Sequence, residues 1–114
     1  TGGVRDLLKL YKKGHSIALM IDQRVREGIK SKFFNKDAFT TTIPAQFIKK
    51  FNCKVVPIYI ERHNGTNFKI IVEKPIEFSK DASREKITRD LNFWLEQKIL
   101  KNPGKWIWSH DRWK

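Results

Sequence analysis

The sequence predicts a small α/β domain in which helices pack on a mixed sheet, made of a parallel strand–helix–strand unit and an antiparallel hairpin. Two short apolar runs, at residues 17–21 and 55–60, lie on either side of a segment with helical spacing. Asn64-Gly65 then marks a tight turn, followed by apolar residues at alternate positions. A length of 114 residues fits one domain, and we expect residues 1–114 to form it.

The chain opens with a predicted helix over residues 3–13. Lysines cluster in its last turn, where they complement the helix dipole, and Gly14 supplies a C-terminal cap. Its apolar face is formed by residues at i, i+3, i+4 and i+7 spacing, namely Val4, Leu7, Leu8 and Tyr11.

Residues 17–21 are continuously apolar and stop at Asp22, which is typical of a strand buried on both faces. Residues 22–42 show no periodicity and are predicted to be an irregular loop, with a short extended piece at Phe33-Phe34. A loop of this length in a small domain is often functional. Ligands of open α/β sheets bind beyond the carboxyl ends of parallel strands, so Asp22 lies where a site is expected.

A second helix is predicted after Thr42, which can cap its N-terminus, with Pro44 tolerated in the first turn. A second strand covers residues 55–60. Pro57 predicts that this strand lies at an edge or is bulged, because proline cannot donate to a ladder. Asn64-Gly65 predicts a hairpin to an antiparallel partner. That partner carries apolar residues at alternate positions, namely Phe68, Ile70 and Val72.

The last predicted helix begins at Ser83 and ends at Asn102-Pro103-Gly104. Its buried stripe is expected to consist of Ile87, Leu91, Trp94, Leu95 and Ile99. The tail that follows, from Trp106 to Lys114, alternates tryptophans with basic residues. Such a tail can stack nucleic-acid bases, lie at a bilayer interface, or fold back and pack on the domain.

The composition is strongly basic, with 24 Lys and Arg against 12 Asp and Glu and a formal net charge of +12. This excess favours an anionic partner such as nucleic acid, anionic lipid or a phosphorylated substrate, although AT-rich codons also raise lysine content. The single cysteine, Cys53, excludes an internal disulfide and a Cys-rich metal site, and we interpret it as a packing residue. No segment has the roughly 20 apolar residues that span a bilayer.

The three histidines do not form a recognisable catalytic pair. Acyl transfer to a hydroxyl often uses a histidine that is oriented by a carboxylate, and in one large class the two are five residues apart. Here Met20 follows His15 at that distance, Phe68 follows His63, and the chain ends before that distance from His110 is reached. The glycines form no phosphate-binding loop, and no spacing suits zinc.

The polar pair Asp22-Gln23 is the main candidate for a site, because it follows a predicted buried strand. The alternative is a strand-end turn residue that bonds its own backbone. Phe33-Phe34 either lines an acyl groove or anchors the loop in the core. Basic residues along the loop either grip phosphates or form a solvated surface. These basic residues are Arg24, Arg26, Lys30 and Lys32.

Three blocks of residues stand in a characteristic order along the chain. The first is formed by Met20-Ile21-Asp22-Gln23, Glu27-Gly28, Phe33-Phe34, Ala38, Thr40-Thr41-Thr42 and Pro44-Ala45. The second is the run Val55-Val56-Pro57-Ile58-Tyr59-Ile60-Glu61-Arg62. The third is Asn102-Pro103, Trp106-Ile107-Trp108, His110 and Arg112-Trp113-Lys114. Together these blocks resemble the bacterial lipid A biosynthesis acyltransferases, the lauroyl and myristoyl transferases of the lysophospholipid acyltransferase superfamily.

The resemblance implies an enzyme of lipopolysaccharide biosynthesis that moves a fatty acyl chain from acyl carrier protein to a hydroxyl of a phosphorylated lipid A precursor. It implies the cytoplasmic face of the inner membrane of a Gram-negative bacterium, with membrane attachment through an N-terminal part. It implies no cofactor other than the carrier thioester as acyl donor, and no nucleic-acid partner. The implied fold is the C-terminal part of an acyltransferase fold.

By position in this family, Asp22 and Gln23 correspond to polar residues of the acceptor site. Four further residues would shape the acceptor and acyl surfaces, namely Arg24, Gly28, Phe33 and Phe34. The family's general base is a histidine in a His-x-x-x-x-Asp/Glu motif of its N-terminal half, which this sequence lacks. We therefore expect a C-terminal fragment that is inactive alone. Asn35 departs from the family, because it stands where many members have Gly.

Two other functions stay open on composition alone. A basic α/β module that binds nucleic acid would show steeply salt-dependent binding, but the chain has no recognised nucleic-acid signature. A module that binds anionic membranes through its Trp-rich tail would bind liposomes without chemistry.

Overall fold

Helices and antiparallel hairpins alternate along the chain in a computed structural model that describes residues 2–114. The α/β class predicted from the sequence is confirmed. In order, the elements of these residues are α1 (Gly2–Lys12), β1 (Ile29–Phe33), β2 (Lys36–Thr40), α2 (Ile43–Phe51), β3 (Ile58–His63), β4 (Asn67–Val72), α3 (Arg84–Lys101) and a 3-10 turn (Pro103–Lys105).

The predicted parallel strand–helix–strand unit is not found within residues 2–114. The strands form two separate two-stranded sheets, β1–β2 and β3–β4, and both are antiparallel. Residues 17–21 form no helix or strand and belong to neither sheet, and Met20 is 76% exposed. The prediction of a strand here was wrong because apolar content alone does not make one. A strand needs a neighbour to take its backbone hydrogen bonds, and the described residues provide none.

The segment 22–42, predicted to be an irregular loop, contains the hairpin β1–β2. Phe33 pairs with Lys36, so the connection is the two-residue turn Phe34-Asn35, with φ of 47° and 60°. Positive φ at both central residues is characteristic of the two-residue turns whose backbone twist matches that of the two strands of a hairpin. Asn adopts positive φ more readily than most other non-glycine residues, which fits Asn35 in this turn. Phe34 is a poor turn residue, and this is why the pattern did not reveal the hairpin.

The second hairpin, β3–β4, was predicted correctly from Asn64-Gly65. Both residues have positive φ, 38° and 78°, and His63 pairs with Asn67 across the turn. The strand begins at Ile58, immediately after Pro57, in agreement with the proline being unable to join a ladder.

All three predicted helices are present. The side chain of Ser83 accepts a hydrogen bond from the backbone N–H of Lys86 at 3.1 Å, so Ser83 caps α3 as predicted. Thr42 precedes α2, but its hydroxyl makes no capping bond and instead accepts from the Gln46 side chain at 2.8 Å. Asn52 ends α2 in the left-handed conformation.

Helix α3 contributes residues to two apolar clusters. The first joins α2 to α3 around Ala45, Ile48, Ile87 and Leu91, with Cys53 packed at its margin as predicted. The second joins α3 to the β1–β2 hairpin and the tail, through Phe33, Ala38, Leu95 and Ile99, with Trp106 and Trp113 packed against them. Packing is therefore the outcome for these two tail tryptophans, whereas Trp108 is about half exposed.

A polar contact fixes the β3–β4 hairpin to α3. Glu73, just beyond β4, accepts a hydrogen bond from Trp94 Nε1 at 2.7 Å through Oε2 and forms an ion pair with Lys98 through Oε1. The ring of Tyr59 packs edge-on against Trp94, with centroids 6.3 Å apart. The hydrogen bonds from Lys98 and then from Trp94 lower the pKa of the Glu73 carboxyl below its ordinary value.

We predict that Glu73→Gln lowers the free energy of unfolding by about 1–2 kcal/mol near pH 7, because it removes a charged acceptor of two bonds. A carboxyl group whose pKa is lower in the folded than in the unfolded protein stabilises the folded state at pH values above its unfolded-state pKa, about 4.3 for Glu. This stabilisation is lost as the pH falls through the folded-state pKa. Urea unfolding at pH 7 and at pH 3 should show a smaller difference between variant and wild type at pH 3. A difference that is equal at both pH values would contradict the prediction.

One face of the β3–β4 hairpin is apolar and open to solvent. Cross-strand pairs place Ile58 beside Val72 and Ile60 beside Ile70, and each of these side chains is more than half exposed. Phe68 lies on the same face and is exposed as well. Contiguous apolar surface of this kind is uncommon on soluble monomers and promotes association.

We predict that the 114-residue chain self-associates in solution through this face. Light scattering on the wild type should give a mass above that of a monomer. The double variant Ile60→Glu/Ile70→Lys, which places opposite charges across the hairpin, should lower that mass. The control Leu10→Lys changes an exposed apolar residue of α1 and should leave the mass unchanged. A monomeric wild type would be evidence against the prediction.

Candidate functional site

The loop of residues 22–28, which contains most of the predicted site residues, rests on strand β2. The backbone N–H of Val25 donates to the carbonyl of Phe39 at 3.4 Å, and Gly28 N–H closes a turn on the carbonyl of Val25 at 2.9 Å. Before the loop, Ile21 packs against both apolar clusters. We call residues 22–28 the acceptor loop, after the acceptor-site role that the sequence resemblance implies for Asp22 and Gln23. Its position is set by β2 on one side and by the Ile21 side chain on the other.

Gly28 has a packing role within the acceptor loop. A Cβ at this position would lie 2.2 Å from the carbonyl oxygen of Thr40 and 2.6 Å from its carbonyl carbon. These are backbone atoms of β2, so a side chain cannot be accommodated without moving the loop or the strand. Gly28 therefore brings the acceptor loop into contact with β2.

The polar residues at the start of the loop differ in exposure. Asp22 and Arg24 are half-buried, and Asp22 Oδ1 and Arg24 Nε are buried with no hydrogen-bond partner in the described residues. Gln23 between them is exposed. The alternative interpretation of Asp22, a turn residue whose carboxylate bonds its own backbone, is not supported, because Oδ1 makes no such bond. Asp22 therefore has unused capacity to accept hydrogen bonds.

The two phenylalanines are not equivalent. Phe33 is 0% exposed and stacks on Trp113, with ring centroids 5.6 Å apart, so it cannot line a substrate surface. Its assignment to the acyl surface is corrected: Phe33 anchors the hairpin in the core. Phe34 is half-buried, 5.9 Å from the ring of Trp108, and its backbone N–H donates to Glu96 Oε1 at 2.8 Å. Of the pair, Phe34 is the one that a ligand could reach.

Behind the acceptor loop lies a buried polar cluster that the sequence pattern did not reveal. Arg112 donates to the carbonyl of Phe39 and, at 2.9 Å, to Thr40 Oγ1. Asn92 Nδ2 donates to the same hydroxyl at 3.2 Å and to the carbonyl of Lys32 at 3.1 Å. One signal was available: Thr88 and Asn92 stand four apart on α3, beside its apolar stripe, and so face the core.

Burial lowers the pKa of the Arg112 guanidinium, and the negative charge of Asp22 opposes this shift. The cluster thus contains a buried cation whose electrostatic environment includes the first residue of the acceptor loop.

Two of the four predicted loop cations, Lys30 and Lys32, lie on β1 and are exposed. Lys30 and Lys32 line a shallow groove of about 340 Å³, together with Lys86 and Arg89 of α3. Lys32 is paired with Asp37 at 2.8 Å and Lys86 with Asp90 at 2.5 Å. The groove also contains Glu85, so its charge is mixed, with a cationic excess from Lys30 and Arg89.

Comparison with protein families gives a match over residues 1–114 to the family described as bacterial lipid A biosynthesis acyltransferase. The chain belongs to this family. A search of curated proteins finds none that matches. None of the helices in the described residues is long and apolar enough to cross a membrane. The acyltransferase family assignment agrees with the resemblance carried by the three sequence blocks.

Acyl transfer to a hydroxyl commonly depends on a histidine and a carboxylate. Within residues 2–114, His63 Nε2 lies 3.5 Å from Glu61 Oε2, but this pair is at the turn of the β3–β4 hairpin and outside the acceptor loop. The described residues contain no group of three or more side chains able to hold a metal ion.

We predict that Gly28→Ala destabilises this acyltransferase chain by roughly 1–3 kcal/mol, because the new methyl group collides with the backbone of Thr40. The matched control is Gly104→Ala, where the added Cβ has open space and the change should stay within about 0.5 kcal/mol. Thermal or urea unfolding measures both. Equal stability of the two variants would show that the acceptor loop does not pack on β2 in this way.

Proposed function

We propose that this chain forms the acceptor-binding part of an enzyme that transfers a fatty acyl chain from acyl carrier protein to a hydroxyl of a phosphorylated lipid A precursor. The observation that carries the proposal is the Asp22-Gln23 pair: a half-buried carboxylate with an unpartnered oxygen beside an exposed amide. Membership of the lipid A biosynthesis acyltransferase family supplies the reaction class.

In this proposal Asp22 and Gln23 bind and orient the acceptor. A carboxylate oxygen accepts a hydrogen bond from a sugar hydroxyl, and an amide both donates and accepts, so the pair can hold adjacent hydroxyls of one sugar. Binding that holds the hydroxyl in line with the thioester carbon contributes to rate by proximity. A bond forms between the acyl carbon and the oxygen of the acceptor hydroxyl as the carbon–sulfur bond of the carrier thioester breaks. The hydroxyl proton goes to a general base.

We place that general base outside residues 1–114, in a His-x-x-x-x-Asp or His-x-x-x-x-Glu motif of the same enzyme. Support comes from His15 and His63, which are followed five residues later by Met20 and Phe68 and not by a carboxylate. The chain is then the C-terminal part of the enzyme and has no turnover alone. The enzyme needs no metal or organic cofactor, since the carrier thioester already contains the activated acyl group.

The positive charge of the chain suits both proposed substrates, because the lipid acceptor is phosphorylated and the carrier protein is acidic. Lys30 and Arg89 line the groove beside β1 and Arg24 lies in the acceptor loop, so these cations are candidates for contacts with phosphate groups. The corresponding location is the cytoplasmic face of the inner membrane of a Gram-negative bacterium, with attachment through a part of the enzyme outside these residues.

We predict that Asp22→Asn and Gln23→Ala, introduced into the full-length enzyme, each lower kcat/KM for the lipid acceptor, with Asp22→Asn costing about 100-fold, or about 2.7 kcal/mol. Transfer of a labelled acyl chain from acyl carrier protein to the precursor is followed by mass spectrometry of the lipid. The matched controls Asp6→Asn and Gln97→Ala change exposed residues of α1 and α3 and should retain wild-type activity.

Unchanged activity of both site variants would refute the acceptor-site assignment. Turnover by residues 1–114 alone would refute the placement of the general base outside them.

A further inference from the structure

The most deeply buried charged residue of the described chain lies two positions from its end. Arg112 is 0% exposed, although neighbouring Lys114 is exposed and pairs only with Asp111 at 3.4 Å. Its guanidinium lies over the ring of Phe33, 5.4 Å from the centroid. A buried guanidinium loses its hydration, so it persists only where the protein supplies acceptors and charge.

The acceptors of Arg112 are the same two residues on which the acceptor loop rests. The carbonyl of Phe39 receives bonds from Arg112 and from the backbone N–H of Val25. Thr40 receives a bond from Arg112 through Oγ1, while its backbone is in close contact with Gly28. The tail and the acceptor loop therefore meet at Phe39-Thr40 of strand β2.

Charge adds a second link between Arg112 and the loop, because the negative charge of Asp22 opposes the lowering of the Arg112 pKa by burial. Arg112 Nε and Asp22 Oδ1 are both buried without a partner, one a donor and the other an acceptor. No ion pair within 4.0 Å joins the two side chains in the described residues, so they act on each other over a longer distance.

We propose that Arg112 is a positioning residue of the acyl-transfer reaction, which fixes the acceptor loop on β2 through Phe39 and Thr40. This inference rests on the proposed function of Asp22 in acceptor binding. Arg112 does not touch the acceptor itself, because it is fully buried. Its effect on the reaction passes through the loop.

Lysine cannot replace arginine in this role without loss. Arg112 bonds two acceptors with two different nitrogens, Nη1 and Nη2, and stacks its plane near an aromatic ring. An ammonium group keeps the charge but has a single donor centre and no plane. Arg112→Lys therefore keeps the positive charge but loses the planar arrangement of donors, whereas Arg112→Met loses both.

The test uses the full-length enzyme, with kcat and KM measured for the lipid acceptor at saturating acyl carrier protein and for the carrier at saturating acceptor. We expect kcat/KM for the acceptor to fall about 10-fold in Arg112→Lys and about 100-fold in Arg112→Met, while KM for the carrier stays within about twofold. Lys114→Met, an exposed cation of the same tail, should match the wild type. In the double variant Asp22→Asn/Arg112→Met, activity should equal that of Asp22→Asn alone, because both changes disable one unit.

Hydrogen exchange of peptides covering residues 22–28, compared between wild type and Arg112→Lys, measures the loop directly and needs only the milder variant. Faster exchange in this peptide, with unchanged exchange in β3–β4, is the expected result. Unchanged exchange would overturn the proposal, as would losses that multiply in the double variant. If Asp22→Asn lowers activity and Arg112→Met does not, only this inference fails. If Asp22→Asn has no effect, the proposed acceptor site fails with it.

Discussion

The side chain of Phe33 is fully buried, and the last helix and the tail both pack against it. Leu95 and Ile99 of α3 lie in the same cluster, Trp113 stacks on its ring, and the guanidinium of Arg112 lies near its face. Burial of a phenylalanine contributes roughly 1.5–3 kcal/mol relative to exposure. Because Phe33 ends β1, this one contact joins the hairpin, the last helix and the tail into a single unit.

The features that local chemistry determines were predictable. Ser83 caps α3 because a hydroxyl next to an exposed first turn satisfies a backbone N–H, and Asn64-Gly65 turns the chain because both residues accept positive φ. The buried stripe of α3 follows from helical periodicity. In each case a few neighbouring residues suffice, and no distant contact is needed to decide the outcome.

The predictions that failed concern features that depend on contacts between residues far apart in the sequence. Residues 17–21 have the composition of a strand, but no other strand of the described residues pairs with them. Ile29–Phe33 has lysines at two of five positions and still forms a strand, because α3 covers its other face. Likewise Phe33 could be placed in the core or in a groove until Trp113, eighty residues later, was found to donate to its carbonyl. Arg112 was visible as part of a basic aromatic tail, but its burial against β2 was not.

The unpaired segment 17–21 has a consequence for the site that follows it. Asp22 is restrained on its C-terminal side by the contacts with β2, but on its N-terminal side the described residues give only the side-chain packing of Ile21 and no backbone hydrogen bond. A strand that paired with 17–21 would reduce the conformational freedom of Asp22 before any ligand arrived. Strand addition and acceptor binding would then be thermodynamically linked, each strengthening the other by the same factor.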